Sequence, residues 1–438
     1  MPRGLLIAVA VLALLGGGIY WSEKHPKTDE EAKKKAVDSP KILALTDAQI
    51  SELQLTKGGG EALVLSKAGD RWVMTKPVSL AADQDAVAAM IGSFAALNAD
   101  RVIDEKPVSL VPFGLDRPSE TVAIKRKDGK TDSLLFGANT PIGGNVYVKL
   151  AGDAKVYTLP ATTKTMFEKS AEDLRDKRLL TFNAEKLTSV VLQSKGVPIE
   201  FAKNGQSDWQ IVKPKTYRAD NLQVDDLVRK LKDAKMDLAA GADAAKDFAK
   251  SAKLATVTVT DNSGPQTIEI RKGAEKTFYA KSSVVEGTYK LTGDLGDGLE
   301  KSVDDFRNKK LFDFGFSDPV RVDINGTAYD RAGDKWNVAG KQFDGPSMQA
   351  VIDKLRDFSA AKFAEKLQGG QVYSLAVTFG DQKRTEKVVI AKFGDVYQAQ
   401  RDGEPSVYLV DAKTVDELQK AVSGIKPAAA ESKETKKK

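Results

Sequence analysis

Hydrophobic and polar residues recur in three similar series along the chain, and each series begins near a tryptophan. The three tryptophans are Trp72, Trp209 and Trp336, with spacings of 137 and 127 residues. After the first two, a proline follows five residues later and an aspartate eleven residues later. Self-similarity at a long, nearly constant period is typical of tandem structural repeats. The pattern therefore predicts three copies of one unit.

An amphipathic run follows each tryptophan, with apolar residues spaced by three and four. Such spacing places the apolar side chains on one face of a helix. The runs contain Val87, Met90, Ile91, Phe94 and Leu97 in the first copy, Val224, Leu227, Val228 and Leu231 in the second, and Met348, Val351, Ile352, Leu355 and Phe358 in the third. Asp83, Asp220 and Asp344 precede these runs. A short carboxylate there accepts from the free amides of a first turn, so these residues predict helix starts.

Pairs of short alternating runs follow each predicted helix, with turn residues between the members of each pair. The pairs are residues 121–124 and 133–136, 256–259 and 267–270, and 375–378 and 387–390. Alternation on both sides of a tight turn predicts β-hairpins. Two tyrosines then recur in each copy: Tyr147 and Tyr157, Tyr279 and Tyr289, Tyr397 and Tyr408. We interpret the tryptophans and tyrosines as core or sheet-face residues, and a recurrent ligand pocket is the alternative.

The predicted fold is α+β, with an N-terminal transmembrane helix followed by three tandem repeats of mostly antiparallel sheet and two helices each. Each repeat is expected to run as two strands, a helix, four strands and a second helix. Because the copies differ by insertions, we expect sequential domains. The predicted segments are a transmembrane anchor (1–22), a charged linker (23–40), three repeat domains (41–180, 181–311 and 312–426) and a disordered basic tail (427–438), too polar to pack.

The run from Gly4 to Trp21 is apolar and uncharged. As a helix it would be about 27 Å long, at ~1.5 Å per residue, which is close to the hydrocarbon thickness of a bilayer. Tyr20 and Trp21 end the run, and aromatic rings favour the membrane–water interface. We therefore expect a single uncleaved span. A cleaved signal peptide is the alternative, because the small residues 16–18 could serve a signal peptidase.

The residue composition argues against most catalytic chemistries. The chain has no cysteine and a single histidine, His25, in the predicted linker. This excludes disulfides, thiol catalysis, ordinary Ser-His-Asp catalysis and histidine-based metal sites. The adjacent pairs Asp225-Asp226 and Asp304-Asp305 do not converge on a helix as a paired acid and base would need. We expect no catalysis and no cofactor.

A basic segment ends the predicted second helix in the first two copies. Its candidate partner-binding residues are Arg175, Lys177, Arg178, Arg307, Lys309 and Lys310. Basic side chains in a last helical turn complement the helix dipole, which is the structural interpretation. Docking on an acidic partner is the functional one. Nucleic-acid binding is not expected, because the net charge of +6 is spread along the chain and no dense basic stripe carries interleaved aromatic residues.

Several of these motifs resemble a bacterial membrane-anchored family called domain of unknown function 4340. The matching segments are residues 113–118 (Phe-Gly-Leu-Asp-Arg-Pro), 147–150 (Tyr-Val-Lys-Leu) and 173–179 (Asp-Leu-Arg-Asp-Lys-Arg-Leu), and the resemblance is best over residues 40–230. The third copy lacks the first and last of them. The motifs carry no known chemistry, so the resemblance assigns no catalytic residue. Such proteins are often encoded beside ABC-type transporters of the gliding-motility kind, which implies an extracytoplasmic accessory role.

The resemblance also favours a body in the periplasm, held to the bacterial inner membrane by one span. Five lysines between residues 24 and 35 would instead hold it in the cytoplasm by the positive-inside rule, but that rule weakens for long translocated domains.

Two functions follow as hypotheses. The first is a non-catalytic scaffold or accessory subunit that contacts an envelope protein, such as the membrane subunit of a transporter. The alternative is an envelope hydrolase, or a glycan-binding or peptide-binding protein, that uses a groove between repeats. Acidic residues that converge in a cleft would favour the alternative, and an exposed apolar patch beside a featureless cleft would favour the scaffold.

Overall fold

Three nine-stranded sheets dominate the computed structural model, which describes residues 39–428 except residues 242 and 382. We call each sheet with its helices a repeat, with repeat 1 at residues 41–174, repeat 2 at 189–306 and repeat 3 at 319–423. Neighbouring strands pair antiparallel across all three sheets. The predicted α+β architecture with mostly antiparallel sheets is confirmed.

The nine strands of each main sheet and the main helix follow the same order in each repeat, whereas repeat 1 adds the strands β1 and β6 and repeats 1 and 2 each contain three helices rather than the expected two. Repeat 1 contains β1 (Lys41–Leu43), β2 (Ile50–Lys57), β3 (Ala62–Ala68), β4 (Arg71–Lys76), β5 (Leu80–Ala81), α1 (Gln84–Gly92), β6 (Leu97–Asn98), β7 (Arg101–Asp104), β8 (Glu120–Arg126), β9 (Thr131–Asn139), β10 (Asn145–Leu150), β11 (Val156–Pro160), α2 (Ala161–Thr165) and α3 (Ala171–Leu174). Repeat 2 contains β12 (Ser189–Gln193), β13 (Ile199–Lys203), β14 (Trp209–Lys213), β15 (Tyr217–Arg218), α4 (Asn221–Asp233), β16 (Lys235–Asp237), α5 (Asp243–Lys250), β17 (Ala252–Asp261), β18 (Gly264–Lys272), β19 (Phe278–Ser282), β20 (Thr288–Thr292) and α6 (Val303–Phe306). Repeat 3 contains β21 (Pro319–Ile324), β22 (Thr327–Ala332), β23 (Lys335–Val338), β24 (Lys341–Phe343), α7 (Gly345–Arg356), β25 (Lys362–Ala364), β26 (Gly370–Phe379), β27 (Arg384–Phe393), β28 (Val396–Arg401), β29 (Val407–Val410) and α8 (Ala412–Ser423).

The strand order is also the same in the three sheets. It is β5-β4-β3-β2-β8-β9-β10-β11-β7 in repeat 1, β15-β14-β13-β12-β17-β18-β19-β20-β16 in repeat 2, and β24-β23-β22-β21-β26-β27-β28-β29-β25 in repeat 3. Four strands form a meander, a helix follows, and one short strand then occupies the opposite edge of the sheet. A second four-stranded meander fills the sheet between them. Repeat 3 keeps this topology although it lacks two of the sequence motifs.

The number of strands differs from the expectation of six in each repeat. Within each nine-stranded sheet, four strands rather than two precede the main helix and five rather than four follow it, and repeat 1 adds the separate pair β1 and β6. The short strands β5, β15 and β25 contain only two or three residues. A run of that length shows no detectable alternation, so the hydrophobic pattern does not reveal it.

The main helices α1, α4 and α7 start where the aspartates indicated and bury the predicted apolar face, but α1 ends before Phe94 and Leu97 and α7 ends before Phe358. All the apolar residues named above for the three runs are buried in the repeat cores. The Asp83 side chain accepts from the amides of Asp85 and Ala86 at 3.1 Å. Asp220 and Asp344 accept in the same way from Gln223 and Ser347. Each core therefore lies between a helix and one face of its sheet.

The three tryptophans occupy equivalent buried positions, one strand in from the edge of each sheet, as predicted. In repeats 1 and 2 the first residue of the main helix also holds the tryptophan backbone. Gln84 Oε1 accepts from Trp72 N at 2.9 Å, and Asn221 Oδ1 accepts from Trp209 N at 2.8 Å. These bonds fix the helix against the strand.

The tyrosines are equivalent in two repeats and shifted in the third. In repeats 1 and 2 the second tyrosine, Tyr157 or Tyr289, pairs with the residue directly after the first one, Tyr147 or Tyr279. In repeat 3, Tyr408 pairs with the residue that lies two positions after Tyr397. A one-residue shift turns a side chain to the opposite face of a sheet. Tyr397 is therefore not the structural counterpart of the other two.

The chain divides into two compact units at the bond between Lys177 and Arg178. Repeat 1 lies in the first unit, and repeats 2 and 3 lie in the second. Within the ranges that the structure covers, no helix combines the length and the apolar character needed to cross a membrane. The Gly4–Trp21 run, His25 and residues 429–438 lie outside the described residues.

Candidate functional site

The basic segments after repeats 1 and 2 form connectors, which we define as connector 1 (residues 174–179) and connector 2 (residues 306–311). Each begins with two backbone hydrogen bonds to its own repeat. The bonds run from Asp83 N to Leu174 O, from Asp176 N to Ala81 O, from Asp220 N to Phe306 O and from Asn308 N to Arg218 O, at 2.8–2.9 Å. The preceding helices end at Leu174 and Phe306, and the next residues are extended. The helix-dipole interpretation of the basic residues is therefore wrong, because they follow the last turn.

The second half of each connector forms backbone hydrogen bonds with the residues that follow the main helix of the next repeat. Leu179 N donates to Ala234 O at 3.0 Å. In connector 2, Leu311 N donates to Phe358 O at 2.9 Å, and Lys309 O accepts from Ala360 N at 2.8 Å. Connector 2 thus joins repeat 2 to repeat 3 by backbone hydrogen bonds at both of its ends.

Arg307 is buried inside the second unit, between repeats 2 and 3. Its guanidinium carbon lies 4.1 Å from the ring centroid of Tyr217 and 3.4 Å from that of Phe363. Its Nη2 donates to the buried Ser406 hydroxyl at 2.9 Å, and its Nη1 donates to Asp304 at 2.9 Å. An arginine sandwiched in this way contacts its own chain, so it is not exposed for an external partner.

The other candidate partner-binding residues have different surroundings. Lys310 is exposed and Lys309 is half-buried. Arg175, Lys177 and Arg178 are also half-buried, and both arginines interact with other residues of the described chain. A docking role for these five residues stays a prediction.

Repeat 3 closes without a basic connector. Asp344 N donates to Lys426 O and Ala428 N donates to Gln342 O, both at 2.9 Å. These are the counterparts of the two bonds that open each connector. Residues 426–428 therefore occupy on repeat 3 the place that the connectors occupy on repeats 1 and 2.

A polar cleft of about 600 Å³ lies between repeats 2 and 3, beside connector 2. Its lining includes Asn204, Gln206, Gln210, Arg218, Asn221, Asn308, Asp313, Arg384, Thr385, Glu386 and Arg401. Acidic residues thus converge in a cleft, which is the feature that favours the groove-binding alternative. Amides, hydroxyls and charges of both signs line the space, so the cleft fits a polar ligand rather than an apolar one.

The carboxylates at this cleft are paired with arginines. Arg218 of repeat 2 contacts Asp313, and its Nε lies 2.8 Å from Glu404 Oε1. Arg401 Nε lies 2.7 Å from the same Glu404 oxygen, and its Nη2 lies 3.4 Å from Glu386. Tyr408 donates to Glu404 at 3.0 Å, and burial raises the pKa of this phenol above its usual value. The network neutralises the acids and ties repeat 2 to repeat 3.

A second cavity, of about 340 Å³, lies within repeat 1 and contains a buried carboxyl group. Its walls are Leu55, Lys57, Glu61, Leu63, Pro77, Glu120, Glu168, Lys169, Ser170, Ala171 and Asp173. Glu120 is only 2% exposed, and its Oε2 has no hydrogen-bond partner among the described residues. Sequence reasoning missed this residue. The available signal was an acidic residue in phase with Val122 and Ile124, the core-facing positions of β8.

Burial raises the pKa of the Glu120 carboxyl to about 7, and the nearby negative charge of Glu168 raises it further, against the opposing effect of Lys57 and Lys164. A carboxyl in an apolar wall loses hydration, which disfavours its charged form. Glu120 therefore changes protonation state near neutral pH.

Metal binding finds no support in the described part of the chain, where no group of three acidic or histidine side chains could hold an ion.

The sequence profile of a family described as Domain of unknown function (DUF4340) matches residues 72–208 and 209–383. Together the two matches cover more than half of the chain. The chain belongs to the DUF4340 family. No curated protein matches it.

The DUF4340 matches begin at Trp72 and Trp209, so the family period is the tryptophan period of the sequence. The second match extends through residue 383, well inside repeat 3. Two successive copies are therefore recognised within the family, which confirms the internal repetition.

The DUF4340 motif at residues 113–118 has a structural role in repeat 1. The Phe113 ring packs edge-on against Tyr147 at 5.2 Å, and Leu115 is buried. A Cβ on Gly137 would lie 2.1 Å from Phe113 O, so the motif crosses the sheet at a position that only glycine permits. The motif shapes the entry to β8, where Glu120 begins the strand.

Proposed function

We propose that this protein is a non-catalytic, membrane-anchored scaffold in the periplasm, acting as an accessory subunit of an ABC-type envelope transporter. The observation that supports a scaffold role most is the link between repeats 2 and 3. Backbone pairing along connector 2, the buried Arg307 and the Arg218–Glu404–Arg401 network hold two sheets together. Repeat proteins commonly present extended surfaces of this kind to partners.

The test is site-specific photo-crosslinking of the full-length protein in intact cells. A photoreactive residue replaces Ser359, which is exposed and forms a β-bridge with Lys310 of connector 2. Mass spectrometry of the product is expected to identify a transporter membrane subunit. The double variant Lys309→Glu and Lys310→Glu should reduce capture several-fold, because charge complementarity steers association.

A matched control carries Lys250→Glu and Lys253→Glu, two exposed lysines on α5 and β17. It has the same net charge as the test variant and is expected to be captured normally. An equal loss of crosslinked partner in both variants would mean that capture depends only on the net charge of the protein. Capture of no membrane protein would contradict the proposal.

A second candidate function is the binding of a glycan or peptide in the cleft between repeats 2 and 3. The convergence of amides, hydroxyls and acids around about 600 Å³ favours it. Gln206→Ala and Thr385→Ala, both in the cleft lining and both exposed, should weaken the binding of a soluble cell-wall glycan digest measured by calorimetry. Gln371→Ala lies on β26 outside the lining and serves as the control. Turnover of the digest, lost on Glu386→Gln, would favour the hydrolase.

A further inference from the structure

The cavity of repeat 1 combines a buried carboxyl group with apolar walls and an opening that carries charge. Leu55 and Leu63, from adjacent strands β2 and β3, and Pro77 provide apolar surface. Glu120 lies opposite Lys57 in the strand register, at the start of β8. Its Oε2 is buried without a partner. A buried polar atom with no partner is costly, and most such atoms in proteins are satisfied by a protein group, water or a ligand.

Glu120 is particular to repeat 1. Strand register places it where repeat 2 has Ala255 and repeat 3 has Tyr373, since these three residues pair with Phe136, Ile270 and Ile390 on the following strand. Ala255 is buried and uncharged. The shared fold therefore forms at this position without a carboxyl group, and a role specific to repeat 1 accounts for the acid.

The charges around the cavity favour a cation. Glu168 and Glu61 add negative charge, and Asp173 is already bonded to Ser170 N and Oγ at 2.8 and 2.7 Å. Lys164 Nζ lies 3.1 Å from Glu168 Oε1. Lys164 does not form a hydrogen bond with Glu120 Oε2. The charged groups that face Glu120 are Lys57 on β2, Glu61 before β3, Lys164 on α2, and Glu168, Lys169 and Asp173 around the start of α3. The described residues hold no three-carboxylate arrangement for a metal ion, so an organic cation fits better.

We propose that this cavity of repeat 1 binds a primary alkylammonium group, with the ammonium on Glu120 and the alkyl chain against Leu55, Leu63 and Pro77. Its volume of about 340 Å³ is at the small end of ligand pockets. A free amine and a lysine side chain share this chemistry. The only covalent bond that changes on binding is the O–H bond of the protonated Glu120 carboxyl, whose proton goes to water. Binding favours the ionised carboxylate, so a proton leaves Glu120 when the ligand binds near neutral pH.

The experiment measures the binding of n-butylammonium to the full-length protein by saturation-transfer NMR at pH 6 and pH 8. Binding should be tighter at pH 8 by up to about tenfold, because the carboxylate is then ionised. Neutral n-butanol, which has the same alkyl chain, should bind at least tenfold more weakly than butylammonium at pH 8. A second probe, N-acetyl-lysine-N-methylamide, distinguishes the two sources, since tighter binding of this compound indicates a lysine side chain.

Glu120→Gln keeps the shape of the side chain and removes its charge, so it should abolish the preference for butylammonium over butanol. Glu105→Gln, at an exposed glutamate of repeat 1 outside the cavity lining, is the matched control and should leave that preference unchanged. Glu168→Gln provides a second variant should Glu120→Gln fail to fold, and it should weaken binding several-fold. The proposal would be overturned by equal binding of butylammonium and butanol, by an unchanged affinity of Glu120→Gln for butylammonium, or by no binding of butylammonium at pH 8. None of these outcomes depends on the scaffold function.

Discussion

Arg307 and Lys310 lie three residues apart on connector 2, and only the arginine is buried. The sequence placed them in one class because both follow the same motif. What separates them is the contact of Arg307 with Phe363 and Ser406, which are distant in sequence. A planar guanidinium stacks on aromatic rings and still donates hydrogen bonds at its edge, which a lysine cannot reproduce. Local sequence carries no sign of such a distant contact.

Replacing Arg307 with alanine should weaken the association of repeats 2 and 3 by about 2–4 kcal/mol, through lost ring stacking and lost hydrogen bonds. Native-state hydrogen exchange of the full-length protein should show faster exchange at β15 and β25, which flank the arginine. Lys310→Ala, at the exposed position of the same connector, should change exchange by less than about 0.5 kcal/mol. A similar effect of both substitutions would contradict the structural role of Arg307.

The pKa of Glu120 gives repeat 1 a defined dependence on pH. Its usual value is 4.5 and its value in the folded protein is about 7. Between these limits the unfolded chain releases the proton while the folded chain keeps it. Stability should therefore fall as pH rises through this window, by up to about 3 kcal/mol, and then level off.

Hydrogen exchange of the repeat 1 core at pH 5 and pH 8, corrected for intrinsic rates, measures this change. Glu120→Gln should remove the pH dependence and make repeat 1 more stable than the unmodified protein at pH 8. Glu61→Gln, which is exposed, should leave it intact. The pH effect persisting in Glu120→Gln would assign it to another group.

At the scale of elements, the long amphipathic helices and the hairpins could be predicted, and the short edge strands could not. The face of α4 follows from the spacing of Val224, Leu227, Val228 and Leu231, because burial on one side of a helix imposes that period. Strands such as β15 owe their pairing to a neighbouring strand and a connector, so their two residues carry no signal of their own. The cavity around Glu120 is formed by four separate segments, at residues 55–63, 77, 120 and 168–173, so the sequence pattern could not predict it either.

Each tryptophan should be a major stabilising residue of its own repeat. Trp72→Ala, Trp209→Ala and Trp336→Ala should each cost about 3–5 kcal/mol, because each leaves a cavity beneath the main helix. Hydrogen exchange should locate the loss in the repeat that carries the substitution. Val197→Ala, a change at a residue that is 66% exposed, should have almost no effect. Loss of stability spread evenly over all repeats would contradict independent cores.

At the scale of the whole molecule, the repetition and the family could be recognised from sequence. The backbone hydrogen bonds that the connectors form with the repeats could not. The basic segments were predicted to be a docking surface, and the backbone of connector 2 also joins repeat 2 to repeat 3 in the second unit. The pairing partners of a connector are the edge strand of one repeat and the helix end of another. Neither partner is recognisable before the sheets are known.

Attachment to a membrane rests on the Gly4–Trp21 run and has a direct test. Leu12→Arg should disfavour insertion by about 2.5–3.5 kcal/mol and move the protein from the membrane fraction to the soluble fraction. The control substitution is Val197→Arg, because Val197 is exposed and an arginine there should not disturb the fold. A buried residue such as Leu45 would not serve, since an arginine there would disturb the fold. A mature protein that begins near Ser22, as determined by N-terminal sequencing, would show that the run is cleaved.

Residues 426–428 make the sheet edge of repeat 3 different from the corresponding edges of the other two repeats. An unpaired sheet edge invites another strand, and natural proteins commonly protect such edges. Here the chain itself takes the bonds at β24 that a connector would form. A further copy between repeats 2 and 3 would need little rearrangement, because connector 2 already forms backbone hydrogen bonds with both of these repeats. A strand from another molecule could pair with this edge only after displacing residues 426–428, so the third sheet carries its own protection against edge-to-edge association.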